Sequence, residues 1–190
     1  MPDPERPSPP GVPAPQEQST ATLTAAPPLR VVLAIGLPGA GKSTWFQRQG
    51  ITPLSSDELR ILLADDVNEQ RYQAQIFAAL QHLLEVRLDL GRPVTYIDAT
   101  NLVREQRKPF RDIAKLHECS LEALFFNVSV EECLRRNKGR ARRVPEDVML
   151  RMAVALEPPT HEEGFDRIVE IGPHGAEIPP TENPQPGGRP

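Results

Sequence analysis

Apolar and polar positions along the middle of the chain switch between two periods. "RVVLAI", residues 30–35, is a β-branched run closed by a glycine, which predicts a buried strand. A helix is expected from Lys42 to about Gln49, and "ITPLSS" reads as a second short strand. Ser55 and Glu58 stand in capping-box spacing ahead of a helix in "DELRILLA". From about Asn68 to Leu90, apolar residues such as Ile76, Leu80, Leu84 and Leu88 recur with helical period, and Gly91 supplies the stop. "PVTYIDATN" predicts a strand that turns polar at its end. A helix around Arg104–His117 follows, with Pro109 an irregularity inside it. "LEALFFNV" is the next strand, Ser129 and Glu132 cap another helix, Pro145 starts one more, and "FDRIVEI" reads as the last strand.

Strands that alternate with helices imply a mainly parallel sheet covered on both faces, a three-layer α/β domain. In such sheets the ligand lies beyond the carboxyl ends of the strands. The polar residues of interest follow strand ends, as that rule requires.

Composition sets the limits of this unit. Nine of the 22 prolines fall in residues 1–28 and six in 172–190. Few apolar side chains there can offset the entropy of ordering, so 1–28 and 173–190 are expected to be disordered tails around a domain at 29–172. The first residues have neither a basic nor a continuous apolar region of a signal peptide, and no stretch approaches a membrane span. Cys119 and Cys133 fit neither a disulfide framework nor a zinc motif, so the expectation is a cytoplasmic protein with no membrane partner. A net charge of -4 argues against general coating of nucleic acid, although it leaves room for a local basic patch.

"GLPGAGKST" after the first strand matches the P-loop pattern in full: Gly36, four residues, Gly41, Lys42, Ser43, then Thr44. Its glycines, with Gly39 and Ala40 between, let backbone N–H groups turn inward as an anion nest. Lys42 is expected to reach the β- and γ-phosphates of ATP, and the Ser43 hydroxyl to hold Mg²⁺. A GTPase should also carry a DxxG turn and an NKxD loop, and neither occurs. A motor ATPase usually has an apolar strand ending in "DE" and a larger body. Small phosphotransferases remain.

Asp57 and Arg60 in "SSDELR" lie one helical turn apart directly after the second strand. Asp57 can take the proton of an acceptor hydroxyl, and Arg60 can clamp an anionic group on that acceptor. The alternative is that Asp57 only favours the helix start while Arg60 is solvated. Six positive charges crowd into residues 135–143, around Gly139 and ahead of Pro145. Such a run is either a solvated face or a loop that folds over ATP and neutralises charge in the transition state. Asp98 in "DATN" ends a strand beside the P-loop, where it can orient metal-bound water or cap the next turn with Asn101. The four histidines form no ligand spacing, and Trp45 reads as packing.

"GLPGAGKSTW", "SSDELR", "DATN", "RRNKGRARRVPEDV" and "EEGFD" occur in the order found in the phage-type polynucleotide 5′-hydroxyl kinases. The chain resembles these and related small P-loop kinases, built on an AAA-type ATP-binding domain, over roughly residues 30–171. The resemblance implies a P-loop kinase fold with an arginine-rich lid at about 135–145. It also implies roles: Lys42 and Ser43 on donor phosphates and metal, Asp57 as general base, Arg60 on a phosphate of the acceptor strand. Arg140 would be the lid arginine, three residues after Asn137. The lid is about a residue short before its "VP", so Arg142 or Arg143 can share that role. The "DxDGT" signature of the phage enzyme's 3′-phosphatase part is absent, so no such activity is expected of this sequence.

The reading that results is an ATP- and Mg²⁺-dependent kinase acting on the 5′-hydroxyl of DNA or RNA. Two rivals stay open: a kinase of the same architecture for a small molecule or an aminoacyl-tRNA, and a nucleotide-binding interaction module with little turnover. The acidic pI favours a small acceptor, whereas the arginine cluster favours a polyanion. The Asp57–Arg60 pair argues against the module, since ATP binding requires neither residue.

Overall fold

The computed structural model describes residues 28–140 and 142–178. Five strands run parallel in one sheet: β1 (Arg30–Ile35), β2 (Leu54–Ser55), β3 (Val94–Asp98), β4 (Ser120–Phe126) and β5 (Arg167–Ile171). A sixth, β6 (Glu177–Ile178), pairs antiparallel with β5, and the order across the sheet is β2-β3-β1-β4-β5-β6. β1 therefore lies in the middle, with β3 on one side and β4 on the other. The chain leaves β1 at the point where the strand order reverses, which opens a crevice above its carboxyl end.

Alternation along β1 divides the core. Val31, Leu33 and Ile35 face α3 (Gln73–Asp89) and α4 (Arg104–Leu116), where they meet Leu80, Leu84 and Phe110. Val32 and Ala34 face the other layer, built from α1 (Lys42–Arg48), α5 (Val130–Asn137) and α6 (Glu146–Ala155), where they meet Phe46, Cys133 and Met149. Because these strands are covered on both faces, their sequence reads as nearly unbroken apolar runs. The expected three-layer α/β fold is the one observed.

Several boundaries differ from expectation for physical reasons. α3 begins at Gln73 rather than near Asn68. Asp66 accepts from the backbone N–H of Asn68 at 2.8 Å, and Glu69 from that of Arg71 at 2.8 Å, so side chains satisfy groups that a helix would otherwise pair. Pro109 sits within α4 without ending it, since Phe110 and Ala114 still bury the inner face. β5 is not the last strand. Residues 173–178, expected to open the C-terminal tail, instead form a turn and β6, with the N–H of Gly172 donating to the carbonyl of Ala176 at 2.9 Å. The rest of the expected tails, 1–27 and 179–190, lies outside the described residues. Among the described residues no helix is long and apolar enough to cross a membrane.

Candidate active site

The loop from Gly36 to Lys42 fills the crevice above β1, and its shape is set by how little room it has. A Cβ on Gly39 would stand 2.7 Å from the carbonyl oxygen of Cys133 in α5, and Gly39 has φ +85°. A Cβ on Gly36 would press against Phe126 at the end of β4, at 3.0 Å. The loop is thus wedged between β4 and α5, with a conformation and a clearance that only glycine meets.

Lys42 folds back over this loop. Its ammonium donates to the carbonyls of Gly36 at 2.7 Å and Leu37 at 2.9 Å, and the residue is buried. Burial lowers its pKa to about 8, against the opposing pull of Asp98, with Arg140 pushing the same way as burial. Ser43 Oγ donates to Asp98 Oδ2 at 2.7 Å, and burial raises the pKa of that carboxyl. Asp98 bonds Ser43 rather than the turn after β3. Asn101, at φ +48°, turns inward instead and donates to the carbonyl of Ala34 at 2.9 Å.

α2 (Ser56–Ala64) starts where β2 ends, and the Ser55 hydroxyl accepts from the N–H of Glu58 at 3.3 Å as the cap. This start sets Asp57 at the rim and Arg60 below it. Arg60 Nη1 donates to Asp57 Oδ1 at 2.9 Å, and its Nη2 donates to Gln73 Oε1 at 2.5 Å. The Arg60 side chain is only 4 % exposed, and its buried Nε has no partner among the described residues. Arg142 reaches the same Asp57 Oδ1 from the loop between α5 and α6. That loop has a closed base. Asn137 donates through Nδ2 to the carbonyl of Val144 at 2.7 Å and accepts the N–H of Val144 at 3.1 Å.

Lys42, Ser43, Asp98, Asp57, Arg60 and Arg142 line one cavity of about 1100 Å³. It brings together the expected residues Gly39, Ala40, Gly41, Lys42, Ser43, Thr44, Asp57, Arg60, Asp98 and Arg140, while Gly36 lies just outside its lining. Single-ligand pockets usually measure about 300–1,000 Å³, so the space stands at the top of that range. Its lining holds two groups of mutually contacting residues, each an arm of the cavity. One runs past Asp57 and Arg60 to Asn68, Gln70 and Gln73. The other passes Trp45, Arg48 and Arg136 to the turn Pro173–Gly175. Arg136 ties the second arm together: its Nη2 donates to the carbonyl of Pro173 at 2.6 Å and its Nε to Glu132 at 2.6 Å.

Nothing in the sequence pointed to Gln73, to the pairing of Asn137 with Val144, or to Arg136 as a bridge, and His174 fell in an expected tail. Amides in a polar run leave no periodic trace, and neither bond of Asn137 involves a residue nearer than seven positions away. Trp45 does pack, edge-on to Phe46 and Phe126 at 5.4 and 6.2 Å, but it also faces the second arm.

The fold is shared with solved P-loop proteins. A candidate kinase from Chloroflexus aurantiacus is 15% identical, with a TM-score of 0.60 over 76% of this chain and 88% of that one. Kti12 of Chaetomium thermophilum, solved with ADP-AlF3, is 15% identical at a TM-score of 0.57, over 75% and 88%. A chain of the Pnkp1/Rnl/Hen1 RNA repair complex is 17% identical at 0.56, over 86% of this chain and 52% of its own length. At these identities the likeness concerns the fold. Residues 31–159, containing the glycine loop, both arms' principal side chains and the arginine-rich loop, match the AAA domain, and the chain belongs to that family.

Proposed function

We propose that this protein transfers the γ-phosphate of ATP to a hydroxyl, and that the acceptor is the 5′-hydroxyl end of DNA or RNA. One observation carries the reading: a carboxylate and a buried arginine, Asp57 and Arg60, line the same cavity as the P-loop, in an arm that the donor nucleotide does not need. The donor phosphates sit over the loop, where Lys42 exchanges the carbonyls of Gly36 and Leu37 for phosphate oxygens. The nucleoside extends toward Trp45, Arg136 and the Pro173–Gly175 turn.

The donor set beside Lys42 suits Mg²⁺, a hard cation that takes oxygen ligands and keeps several waters. Ser43 and Asp98 offer a hydroxyl and a carboxylate whose oxygens already lie 2.7 Å apart. Among the described residues no cluster of three or more His, Cys, Asp or Glu is placed to hold a metal. Phosphates and water would complete the shell. Bound there, Mg²⁺ would neutralise charge on the phosphates.

In the transfer, Asp57 accepts the proton of the attacking hydroxyl as a new oxygen–phosphorus bond forms and the β–γ bridging bond breaks, which leaves ADP. Arg60 holds an acceptor phosphate. Arg140 and Arg142 stabilise the charge on the phosphoryl group in flight, with Arg142 passing from Asp57 to that group.

The test is incubation with γ-labelled ATP, Mg²⁺ and parallel acceptors: 5′-hydroxyl oligonucleotides of DNA and RNA, nucleosides, and a metabolite extract. Label on oligonucleotide ends supports the proposal. Label only on a small metabolite moves the activity to a small-molecule kinase, and nucleotide binding without any transfer leaves an interaction module.

A further inference from the structure

Arg60 is an incompletely satisfied cation. Its guanidinium is buried, Nη1 is spent on Asp57, and Nε is sealed from solvent without a partner among the described residues. A buried donor left unpaired calls for an explanation, because nearly all such groups find a partner. Gln73 supplies the clue. This neutral amide, at the exposed first turn of α3, lays its carbonyl oxygen 2.5 Å from Arg60 Nη2. Nε and Nη2 form one fork of the guanidinium, the edge that matches two oxygens of a phosphate or carboxylate. Gln73 therefore occupies half of an oxyanion site with a single oxygen and leaves the other half bare.

We propose that Gln73 determines acceptor specificity by occupying the Arg60 fork as a displaceable stand-in, so that the arm admits acceptors carrying a phosphate and disfavours neutral ones. This rests on reading the Asp57–Arg60 arm as the acceptor arm. An incoming phosphate replaces one bond from the cation to a neutral amide oxygen with two bonds to anionic oxygens, an exchange that favours entry. A sugar or nucleoside hydroxyl has one neutral oxygen to offer, no better than the amide it must displace, and it leaves Nε unpaired. The stand-in is weak enough to yield to an anion and strong enough to hold its place against a hydroxyl. A glutamate at this position would not yield to either.

Removing the Gln73 amide and charging it should shift phosphate binding in opposite directions. Inorganic phosphate is titrated calorimetrically into protein whose P-loop is filled with Mg²⁺ and a non-hydrolysable ATP analogue. Gln73→Ala removes the competitor and should tighten phosphate binding several-fold. Gln73→Glu installs a permanent anion and should weaken it by roughly tenfold to a hundredfold, the range spanned by hydrogen bonds to charged groups. In an Arg60→Ala background both effects should vanish. In turnover the same variants should move KM for a 5′-hydroxyl dinucleotide in the same directions, with kcat changing less. Two variants that weaken phosphate binding alike, or shift nothing, would overturn the inference. If oligonucleotides prove not to be acceptors, wild-type protein will show no transfer to them, and the phosphate titration still decides the role of Gln73.

Discussion

Arg60 and Arg142 meet on one oxygen, Oδ1 of Asp57, the first from the helix that carries the carboxylate and the second from the loop across the cavity. Both bonds fall on the same atom, so Oδ2 has no hydrogen bond among the described residues and, on the proposed reading, is the oxygen that would meet an acceptor hydroxyl. Asp57→Asn keeps the size and the bonds to both arginines but cannot take a proton. It should lower kcat by about 10²–10⁴-fold with little change in ATP affinity, measured by steady-state kinetics and nucleotide titration. Wild-type turnover in Asp57→Asn would remove the general base from this position.

Arg60→Ala separates acceptors by charge. If Arg60 grips a phosphate, kcat/KM should collapse for a 5′-hydroxyl dinucleotide and fall far less for the matching nucleoside. Equal losses on both would place Arg60 on the donor side.

Lys42 gives ATP binding a proton signature. In the free protein its pKa is held at about 8 by burial, and phosphates should pull it back toward its ordinary 10.5. Between those values the complex then holds more protons than the free protein. Binding should take up protons at pH 8–9, and affinity should fall as pH rises through that window. Calorimetry in buffers of different ionisation enthalpy reads the uptake directly. Lys42→Ala should abolish it together with phosphoryl transfer, and the fold should survive.

How much of this was legible in the sequence depended on where each residue's partners lie. The first strand and the glycine loop were readable because strand pattern, turn and helix start are local and agree with one another. The sheet's parallel character followed from strands alternating with helices. The start of α3 was not readable, because Asp66 and Glu69 satisfy backbone groups that periodicity assigns to a helix. β6 is two residues long and exists through pairing with β5. Within the site, Asp57 and Arg60 were visible from their spacing, whereas Gln73 becomes meaningful only once Arg60 is seen beneath it. Arg107 is the clearest loss. A charged residue inside a polar helix reads as solvated, yet it is 1 % exposed because Glu163 waits 56 positions away.

That pair supports a stability prediction. Arg107 donates to both Glu163 oxygens, at 2.7 and 2.8 Å, and to the carbonyls of Asn101, Leu102 and Glu157. Arg107→Ala takes the close cationic partner from a buried carboxylate and a donor from three carbonyls, so it should destabilise by about 3–5 kcal/mol, the usual loss when one partner of a buried pair is removed. A chemical denaturation series checks this, and a change below 1 kcal/mol would show that water replaces the guanidinium freely.

Two glycines with similar backbone angles should respond differently to alanine. Gly50 has φ +65° and open space around its missing Cβ, so Gly50→Ala carries only left-handed strain of about 1–2 kcal/mol. Gly39 has φ +85° and the Cys133 carbonyl in the way. Gly39→Ala should lower the melting temperature further than Gly50→Ala, and it alone should impair ATP binding.

The two outer strands, β2 and β6, span two residues each, while β4, near the centre, spans seven. A sheet of this kind invites self-association through its margins, where unpaired N–H and C=O groups can recruit a strand from another molecule. Here a foreign strand docking on β2 finds a ladder two residues long before the chain turns into α2 at Ser56. The long apolar strands, which would make the most adhesive templates, are shielded by neighbours on both sides. The brevity of β2 therefore guards this margin of the sheet against pairing with a strand of another molecule.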